Sequence, residues 1–389
     1  MNKILTLNKI DEEGLNLLRK DKFEVGDNIQ DADGILVRSA KLHDMEFSPN
    51  LKAVARAGAG TNNIPSDNLT ERGVVVFNTP GANAEAVKEL VISGLLMASR
   101  GISESLYWAN TIKDKGDAIP SLIEEYKKNF KGQEIRNRTL GVIGLGAIGL
   151  LVANAAQALG MKVVGYDPYI SVQHAWRLSR NVKAAKSLDS LLSKAEYISL
   201  HIPLLDSTLH TVNEDFISKC KEGVKILNFS RGELVDNTAM RSALESKKVA
   251  KYITDFPNKE TLAMERCVNL PHLGASTSES ETNCAIMAVE QIKDFLENGN
   301  IKNSVNFPDA ELERNGYARL VIANRNIPNM VGQITSVLAK DNINIENMLN
   351  KNKKDLAYNI IDIGQKDISE KVLDDIRNIE GVLMARFIR

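Results

Sequence analysis

An uncharged stretch at residues 139–161 restricts the fold of this chain more than any other feature. It opens with an apolar run that favours a buried strand. It continues through Gly144-Leu145-Gly146-Ala147-Ile148-Gly149 into an alanine- and leucine-rich helical segment. Its 23 residues are long enough to cross a bilayer. Five glycines with Asn154 and Gln157 make a poor lipid-facing surface, so we interpret the stretch as strand, turn and helix.

This glycine spacing has a specific use at the end of a parallel strand. Gly144 permits the tight turn, Gly146 lets a pyrophosphate approach the backbone, and Gly149 allows close packing of helix on strand. The helix start then offers free N–H groups and a positive dipole end to the phosphates. Asp167 ends the next strand, where its carboxylate can accept both ribose hydroxyls of NAD and repel the extra phosphate of NADP. The stretch therefore predicts an NAD site.

Short apolar runs alternate with helical segments on both sides of this motif, which is typical of parallel sheets with right-handed crossovers. Strands are predicted at 4–7, 34–37, 52–56 and 74–77, and then at 140–143, 162–166, 197–200, 225–229, 251–254 and 268–270. A long helix is predicted at 278–298. We therefore predict an α/β chain in which a doubly wound Rossmann domain is inserted in a flavodoxin-like α/β domain.

The C-terminal part predicts a separate small unit. Its apolar runs and helical patterns follow the order β-α-β-β-α-β, which is the ferredoxin-like arrangement. The predicted domains are 1–95 and 276–307 for the substrate-binding domain, 96–275 for the NAD-binding domain, 308–317 for a linker and 318–389 for the C-terminal domain.

The charges of the 389 residues nearly cancel, with 49 basic against 50 acidic side chains. A nucleic-acid binder or a membrane-surface protein usually carries a basic excess, so we expect neither partner. The three cysteines form no CxxC motif and no cluster with histidines, which predicts a reducing cytoplasm and no metal. The first residues carry too short an apolar run to predict a signal peptide.

Polar residues follow three of the predicted strands of the NAD-binding domain, at the edge where such folds bind ligands. Arg231 can grip a carboxylate and polarise the oxygen beside it, although an arginine here is also common as a surface or capping residue. His272 can take a hydroxyl proton, and a nearby carboxylate would stabilise the protonated ring. This chemistry suits a 2-hydroxy acid.

Six sequence blocks occur in the order found in the D-isomer-specific 2-hydroxyacid dehydrogenases. They are ARAGAGTNNI (55–64), FNTPGAN (77–83), GLGAIG (144–149), LHIPLL (200–205), NFSRGELVD (228–236) and PHLGAST (271–277). The chain resembles this family over residues 1 to about 307. The resemblance implies three catalytic residues: Arg231, Glu260 and His272. It implies that the cofactor contacts Gly144, Gly146, Ala147, Ile148, Gly149, Asp167, His201, Pro203, Ser230, Asp255 and Gly274, and that the substrate carboxylate faces the backbone of Ala59 and Gly60.

The segment that carries the acid expected to partner His272 departs from the usual motif of the family. The usual motif of the family around this acid is D-V-F-x-x-E-P. The corresponding segment of this chain is Asp255-Phe256-Pro257-Asn258-Lys259-Glu260-Thr261. The distance of Glu260 from Arg231 along the chain fits the family, so Glu260 is the preferred partner. Asp255 is the alternative.

Residues 319–389 resemble the ACT domain, a small amino-acid-binding regulatory fold. The combination of this family with a C-terminal ACT domain implies an enzyme that oxidises 3-phospho-D-glycerate with NAD on the route to L-serine. Arg38 and Arg56, which end predicted strands, are then expected at the substrate phosphate. Asn326 and Asn344 match the positions that bind an L-serine effector, although asparagines replace the histidine and glycine usual in the loop at 324–329. A homodimer or homotetramer is expected.

Three other readings stay open. One is a relative that reduces hydroxypyruvate, glyoxylate or 2-oxoglutarate and needs no phosphate-binding arginines. Another is a non-enzymatic NAD-sensing corepressor, for which the chain shows neither the basic tracts nor the extensions expected. The third is an amino-acid-sensing regulator, which leaves the arginine, carboxylate and histidine set unused.

Overall fold

A computed structural model describes residues 1–315 and 318–389, and the last two residues of the predicted linker, 316 and 317, lie outside the described residues. Its strands are β1 (Asn2–Leu7), β2 (Phe23–Gly26), β3 (Gly34–Val37), β4 (Ala53–Arg56), β5 (Val75–Phe77), β6 (Thr139–Ile143), β7 (Lys162–Tyr166), β8 (Lys183–Ala184), β9 (Tyr197–Leu200), β10 (Val224–Asn228), β11 (Val249–Thr254), β12 (Cys267–Asn269), β13 (Ala318–Arg325), β14 (Ile345–Lys353), β15 (Leu356–Ile363) and β16 (Val382–Ile388). Its helices are α1 (Glu12–Leu15), α2 (Ser66–Glu71), α3 (Ala84–Ser99), α4 (Ile102–Thr111), α5 (Ile119–Tyr126), α6 (Ala147–Ala158), α7 (Val172–Arg177), α8 (Leu188–Leu192), α9 (Glu214–Lys219), α10 (Asn237–Glu245), α11 (Lys259–Leu262), α12 (Ser278–Asn298), α13 (Met330–Lys340) and α14 (Glu370–Arg377). The chain divides into two compact units, Met1–Ala82 with Glu281–Arg389, and Asn83–Ser280.

The first unit contains a five-stranded parallel sheet in the order β2-β1-β3-β4-β5. This is the flavodoxin-like order, and it confirms the predicted fold class. All four residues of β3 are buried because helices cover both faces of such a sheet. The edge strand β2 was not predicted, since only Phe23 of its four residues is buried.

The second unit contains a seven-stranded parallel sheet in the order β12-β11-β10-β9-β6-β7-β8. The order reverses beside β6, as in doubly wound dinucleotide-binding folds, which confirms the predicted Rossmann domain. The two exposed residues of β8 have no apolar pattern, so this strand was not predicted. No helix among the described residues is long and apolar enough to cross a membrane.

Helix α3 places the division between the units earlier than the boundary predicted at 95/96. Its buried residues Val87, Val91 and Leu95 belong to the same core as Leu140 and Val142 of β6. The helix therefore lies in the second unit, which begins at Asn83. Its low charge predicted its burial but not which sheet it covers.

The C-terminal sheet is antiparallel, in the order β14-β15-β13-β16, and the chain order β-α-β-β-α-β agrees with the prediction. On one face, α13 and α14 cover a core that includes Leu320, Ile334 and Ile376. On the other face, Val321 and Tyr358 pack in one core with residues of α12 and of the first sheet. Every residue of β15 is consequently buried.

Part of the predicted linker packs against the fold. Ala310 is buried and pairs in a β-bridge with Ile301, and Phe307 just before it has no exposed surface. The polar composition of the segment predicted a linker and gave no sign of this packing. Phe307 and Ala310 attach the C-terminal sheet to the end of α12.

A buried ion pair strengthens this attachment. Arg319 donates from Nε and Nη2 to the two oxygens of Asp362 at 2.6 and 2.9 Å, and neither side chain is exposed. The same guanidinium donates to the carbonyls of Asn298, Leu312 and Glu313. One arginine thus links the C-terminal sheet, the end of α12 and the segment between them.

We expect Arg319→Met to lower the free energy of unfolding by about 3–5 kcal/mol, because it leaves the Asp362 carboxylate buried without its partner. Urea unfolding measures this. Arg377→Met, which breaks an exposed pair with Glu370 and Asp374, is the matched control and should cost about 1 kcal/mol or less. Equal losses in the two variants would contradict the role of the buried pair.

Candidate active site

The glycine-rich turn between β6 and α6 needs glycine at two of its three positions. Gly144 has a φ of +88°, and a Cβ there would lie 2.4 Å from the carbonyl oxygen of His201. A Cβ on Gly149 would lie 1.9 Å from the carbonyl oxygen of Gly144. At Gly146 a Cβ would meet nothing within 4 Å, so open space lies against this part of the backbone.

Helix α6 begins at this open space with its N–H groups unused. Gly146 is its N-cap residue, and no side chain caps the helix. Within residues 1–315 and 318–389, the N–H groups of Gly146, Ala147 and Ile148 donate to no other group. Free N–H groups at the positive end of a helix dipole suit a diphosphate. The turn therefore fits the pyrophosphate of NAD.

Asp167 follows β7 and faces the same turn. Its Oδ2 accepts the N–H of Leu145 at 2.8 Å, and its Oδ1 accepts the N–H of Tyr169 at 2.8 Å. A carboxylate has about four acceptor positions, so two remain for a pair of ribose hydroxyls. The bond to Leu145 also fixes the carboxylate to the glycine-rich turn, a tie that the sequence did not reveal.

The segment after β9 contributes His201 and Pro203. His201 Nε2 lies 2.9 Å from Ser199 Oγ, while Nδ1 is buried with no hydrogen-bond partner. Burial lowers the pKa of His201 to about 3, so this ring is neutral at physiological pH. The Pro203 carbonyl accepts the hydroxyl of Thr208 at 2.7 Å. A neutral ring with an unused polar atom is compatible with a site for a nicotinamide dinucleotide.

Arg231 lies just after β10 with its backbone fixed and its side chain exposed. Asn228 donates to the Arg231 carbonyl at 2.8 Å and accepts the N–H of Ser230 at 3.1 Å. Ser230 Oγ donates to the carbonyl of Leu200 at 2.6 Å, which ties this loop to β9. The guanidinium makes one described hydrogen bond, from Nη1 to the Ser230 carbonyl, so most of its N–H donors are available to a carboxylate.

Asp255 directly follows β11 and is buried, with 1% of its surface exposed. Its Oδ2 accepts the N–H of Gly274 at 3.2 Å, and its Oδ1 is buried without a partner. Burial raises the pKa of Asp255, and the charges of His272 and Arg231 act in the opposite direction. The Asp255 carboxylate therefore lies within electrostatic reach of both His272 and Arg231.

Glu260 is the carboxylate that the sequence favoured as the partner of His272. It lies exposed in the first turn of α11, which Asn258 caps with hydrogen bonds of 2.9 Å to the N–H groups of Glu260 and Thr261. Its carboxylate makes no hydrogen bond or ion pair with His272 in the described structure. A glutamate in the first turn stabilises a helix through the helix dipole, whether or not it has a catalytic role. The residue type alone therefore does not distinguish the two roles.

Two residues of this edge were not selected from the sequence. The ring of Phe256 lies with its centroid 4.7 Å from that of His272, and Asn228 fixes the loop that carries Arg231. Asn228 lies in the block at 228–236 and Phe256 directly follows Asp255, but neither residue type distinguishes a positioning role from ordinary packing.

The predicted substrate-binding residues lie in the first unit. Arg56 donates from Nε to the Arg38 carbonyl at 3.0 Å and from Nη1 to the Gly60 carbonyl, so it organises the loops after β3 and β4. Asn78 donates to the Ala59 carbonyl at 2.6 Å. In the part of the chain that the structure describes, the N–H groups of Ala59 and Gly60 donate to nothing, which leaves them open to a carboxylate.

The predicted effector residues lie at opposite ends of β15. Asn326 donates to the Lys354 carbonyl at 3.2 Å, just before the strand, and the Asn344 carbonyl accepts the N–H of Gly364, just after it. Eight residues of extended chain separate the two positions by roughly 23 Å. One small ligand cannot contact both within a single chain.

The second unit matches a known protein family. Residues 92–274 match the model of the D-isomer specific 2-hydroxyacid dehydrogenase NAD-binding domain. A D-3-phosphoglycerate dehydrogenase of Haemophilus influenzae is 30% identical over 357 residues, which cover 88% of this chain and 83% of the relative. The chain belongs to the D-isomer-specific 2-hydroxyacid dehydrogenase family. Its cofactor is NAD, for which the matched domain of the family is named.

Other members of the dehydrogenase family are similar over most of the chain. A D-3-phosphoglycerate dehydrogenase of Methanocaldococcus jannaschii is 32% identical, over 88% of this chain and 66% of the relative. A hydroxypyruvate reductase of Thermotoga maritima is 36% identical, over 70% of this chain and 87% of the relative. The NAD-bound 3-phosphoglycerate dehydrogenase of Entamoeba histolytica superposes with a TM-score of 0.61 at 28% identity, over 78% of this chain and 98% of that one.

The family members differ in length from this chain. It spans 56–66% of the length of three D-3-phosphoglycerate dehydrogenases, including the one from Methanocaldococcus jannaschii. The matched NAD-binding domain contains Arg231, Asp255, Glu260 and His272, whereas Arg38 lies outside it. The comparisons therefore support the chemistry of the second unit more directly than the substrate.

Proposed function

We propose that the protein is an NAD-dependent dehydrogenase that oxidises 3-phospho-D-glycerate to 3-phosphohydroxypyruvate, the first step of a route to L-serine, in the cytoplasm. The observation that carries the proposal is the grouping of Arg231, Asp255 and His272 at the carboxyl edge of the sheet whose glycine-rich turn fits NAD. The family membership and the relatives named D-3-phosphoglycerate dehydrogenase support it.

Each residue of this group has a role that follows from its chemistry. Arg231 binds the substrate carboxylate and polarises the oxygen on C2, since its guanidinium is largely unused and its backbone is fixed. His272 takes the proton of the C2 hydroxyl while the C2–H bond breaks. NAD held at the glycine-rich turn would supply the acceptor for the hydride that leaves C2. The O–H and C2–H bonds are thereby replaced by a C2=O double bond.

Asp255 is proposed as the carboxylate that stabilises protonated His272. It is buried, it has an unpartnered oxygen, and its charge interacts with that of His272. Glu260 lies exposed in the first turn of α11 and makes no described contact with the ring. Asp255 is therefore proposed in place of Glu260, which the spacing along the sequence favoured.

The substrate phosphate is assigned to Arg38, and the substrate carboxylate also to the N–H groups of Ala59 and Gly60. These N–H groups are unused, while the carbonyls of the same residues are held by Asn78 and Arg56. Arg56 is proposed to position these loops, because its guanidinium already donates to two carbonyls.

The second candidate is a reductase of unphosphorylated 2-oxo acids, which the similarity to the Thermotoga maritima hydroxypyruvate reductase favours. Rates of NADH oxidation with phosphohydroxypyruvate, hydroxypyruvate, glyoxylate and 2-oxoglutarate separate the candidates. We expect the phosphorylated substrate to give the highest kcat/KM. Equal or faster reduction of hydroxypyruvate would contradict the phosphate-specific proposal, and no turnover of any of the four would favour a sensor over an enzyme.

L-Serine is proposed as an effector, with a homodimer or homotetramer as the active form. Because Asn326 and Asn344 lie at opposite ends of β15, a site made of both needs two chains with their C-terminal sheets side by side. Asn329, in place of the usual glycine of the loop, adopts a left-handed φ of +64°, a conformation that glycine adopts easily. Initial rates measured against millimolar L-serine test the proposal, and an unchanged rate would contradict it.

A further inference from the structure

The arginine assigned to the substrate phosphate already has an anionic partner. Arg38 Nη2 donates to Glu281 Oε1 at 2.6 Å, and both residues belong to the first unit. Glu281 lies near the start of α12. About two fifths of each side chain is exposed, at 42% for Arg38 and 43% for Glu281. An ion pair this accessible to water is weak and can be exchanged for another anion.

The backbone of Arg38 is fixed far more firmly than its side chain. Its carbonyl accepts hydrogen bonds from Arg56 and Asn63, and Asn8 Oδ1 accepts the N–H groups of the next two residues at 3.0 and 2.7 Å. The guanidinium carries five N–H donors and makes one described hydrogen bond, the one to Glu281. The backbone of Arg38 is thus fixed, while its guanidinium is held by one described hydrogen bond.

We propose that Glu281 lowers the affinity of Arg38 for a phosphate group, because its carboxylate occupies the guanidinium until the phosphate displaces it. The proposal rests on the proposed function. A phosphate monoester carries nearly two negative charges and three acceptor oxygens, so it can form a bidentate contact where Glu281 forms one bond. A neutral hydroxymethyl group has neither the charge nor the acceptors to displace the carboxylate. Glu281 therefore competes with the phosphate and leaves an unphosphorylated substrate unaffected.

Glu281→Gln tests this competition with a side chain of the same shape. We expect the KM for phosphohydroxypyruvate to fall about two- to fivefold, which corresponds to the free energy of an exposed ion pair. The kcat and the KM for hydroxypyruvate should not change. The difference should shrink at high salt, where exposed charges are screened.

Two further variants separate a specific competition from a general change of charge. Glu279→Gln removes the same charge from the same helix, but Glu279 contacts Ser278 and not Arg38, so its KM should equal that of the wild type. In an Arg38→Gln background, Glu281→Gln should have no effect, because the carboxylate then has no cation to occupy. Equal effects of the two glutamate variants, or an effect that persists without Arg38, would overturn the proposal.

Calorimetric titration with inorganic phosphate tests the role of Glu281 without assuming which substrate the enzyme uses. Tighter phosphate binding by Glu281→Gln than by the wild type supports the competition whichever 2-oxo acid is reduced. Unchanged or weaker phosphate binding overturns it. A wild type that prefers hydroxypyruvate would refute the proposed substrate alone, and the phosphate titration would still decide the role of Glu281.

Discussion

Replacing Asp255 by asparagine is expected to lower kcat about 10- to 100-fold, while Glu260→Gln keeps kcat within about twofold of the wild type. Acid–base help from a histidine is worth roughly 10²- to 10⁴-fold, and the counter-charge that stabilises its protonated form supplies part of this. Asp255 is buried and coupled in charge to His272, whereas Glu260 is exposed and without a described contact. Steady-state rates across pH 6–9 measure both variants.

The stability of the Asp255 variant distinguishes a catalytic defect from misfolding. Burial raises the pKa of Asp255 in the folded protein, so the ionised carboxylate destabilises the fold at pH values above that pKa. The penalty disappears as the pH falls through the folded pKa and the group becomes protonated. Asp255→Asn should therefore unfold at the same or a higher temperature than the wild type at pH 8, with the difference smallest in acid. A large loss of activity in Glu260→Gln with none in Asp255→Asn would restore Glu260 as the partner.

Asp167→Asn is expected to reduce the preference for NAD over NADP by at least about 100-fold. A carboxylate about 4 Å from a 2′-phosphate costs roughly 4 kcal/mol at an effective dielectric of 20, which corresponds to nearly three orders of magnitude. Asparagine removes the charge and keeps an oxygen that can accept the N–H of Leu145. The ratio of kcat/KM values for the two cofactors measures the effect.

Asp167→Ala is the matched comparison, because it removes both the charge and the acceptor for Leu145. We expect it to weaken NAD binding more than Asp167→Asn does, since the glycine-rich turn loses a hydrogen bond that shapes it. An unchanged cofactor ratio in both variants would show that another group excludes NADP.

The sequence predicted the parts of the fold that local chemistry determines. At Gly144 and Gly149 no side chain fits, so the turn and the helix after it were readable from residue types. The buried parallel strands were visible as continuous apolar runs. The exposed edge strands β2 and β8 had no such run, and they were missed.

The candidate site was harder to predict from the sequence than the fold, because it depends on which side chains lie close together in space. Arg231 and His272 were recognised in sequence blocks, and the structure brings both within electrostatic reach of Asp255. The choice between Asp255 and Glu260 rested on spacing along the chain, which does not report burial. The contact between Arg38 and Glu281 joins residues 243 positions apart, and no local pattern could reveal it.

The most direct test of the account is the ratio of kcat/KM for phosphohydroxypyruvate to that for hydroxypyruvate, measured with NADH in the wild type and in Arg38→Gln. A charge-assisted bidentate contact to phosphate is worth about 3 kcal/mol or more. We therefore expect a wild-type ratio above about 100 that falls at least tenfold in the variant. A ratio near one in the wild type, or a high ratio that Arg38→Gln leaves unchanged, would contradict it.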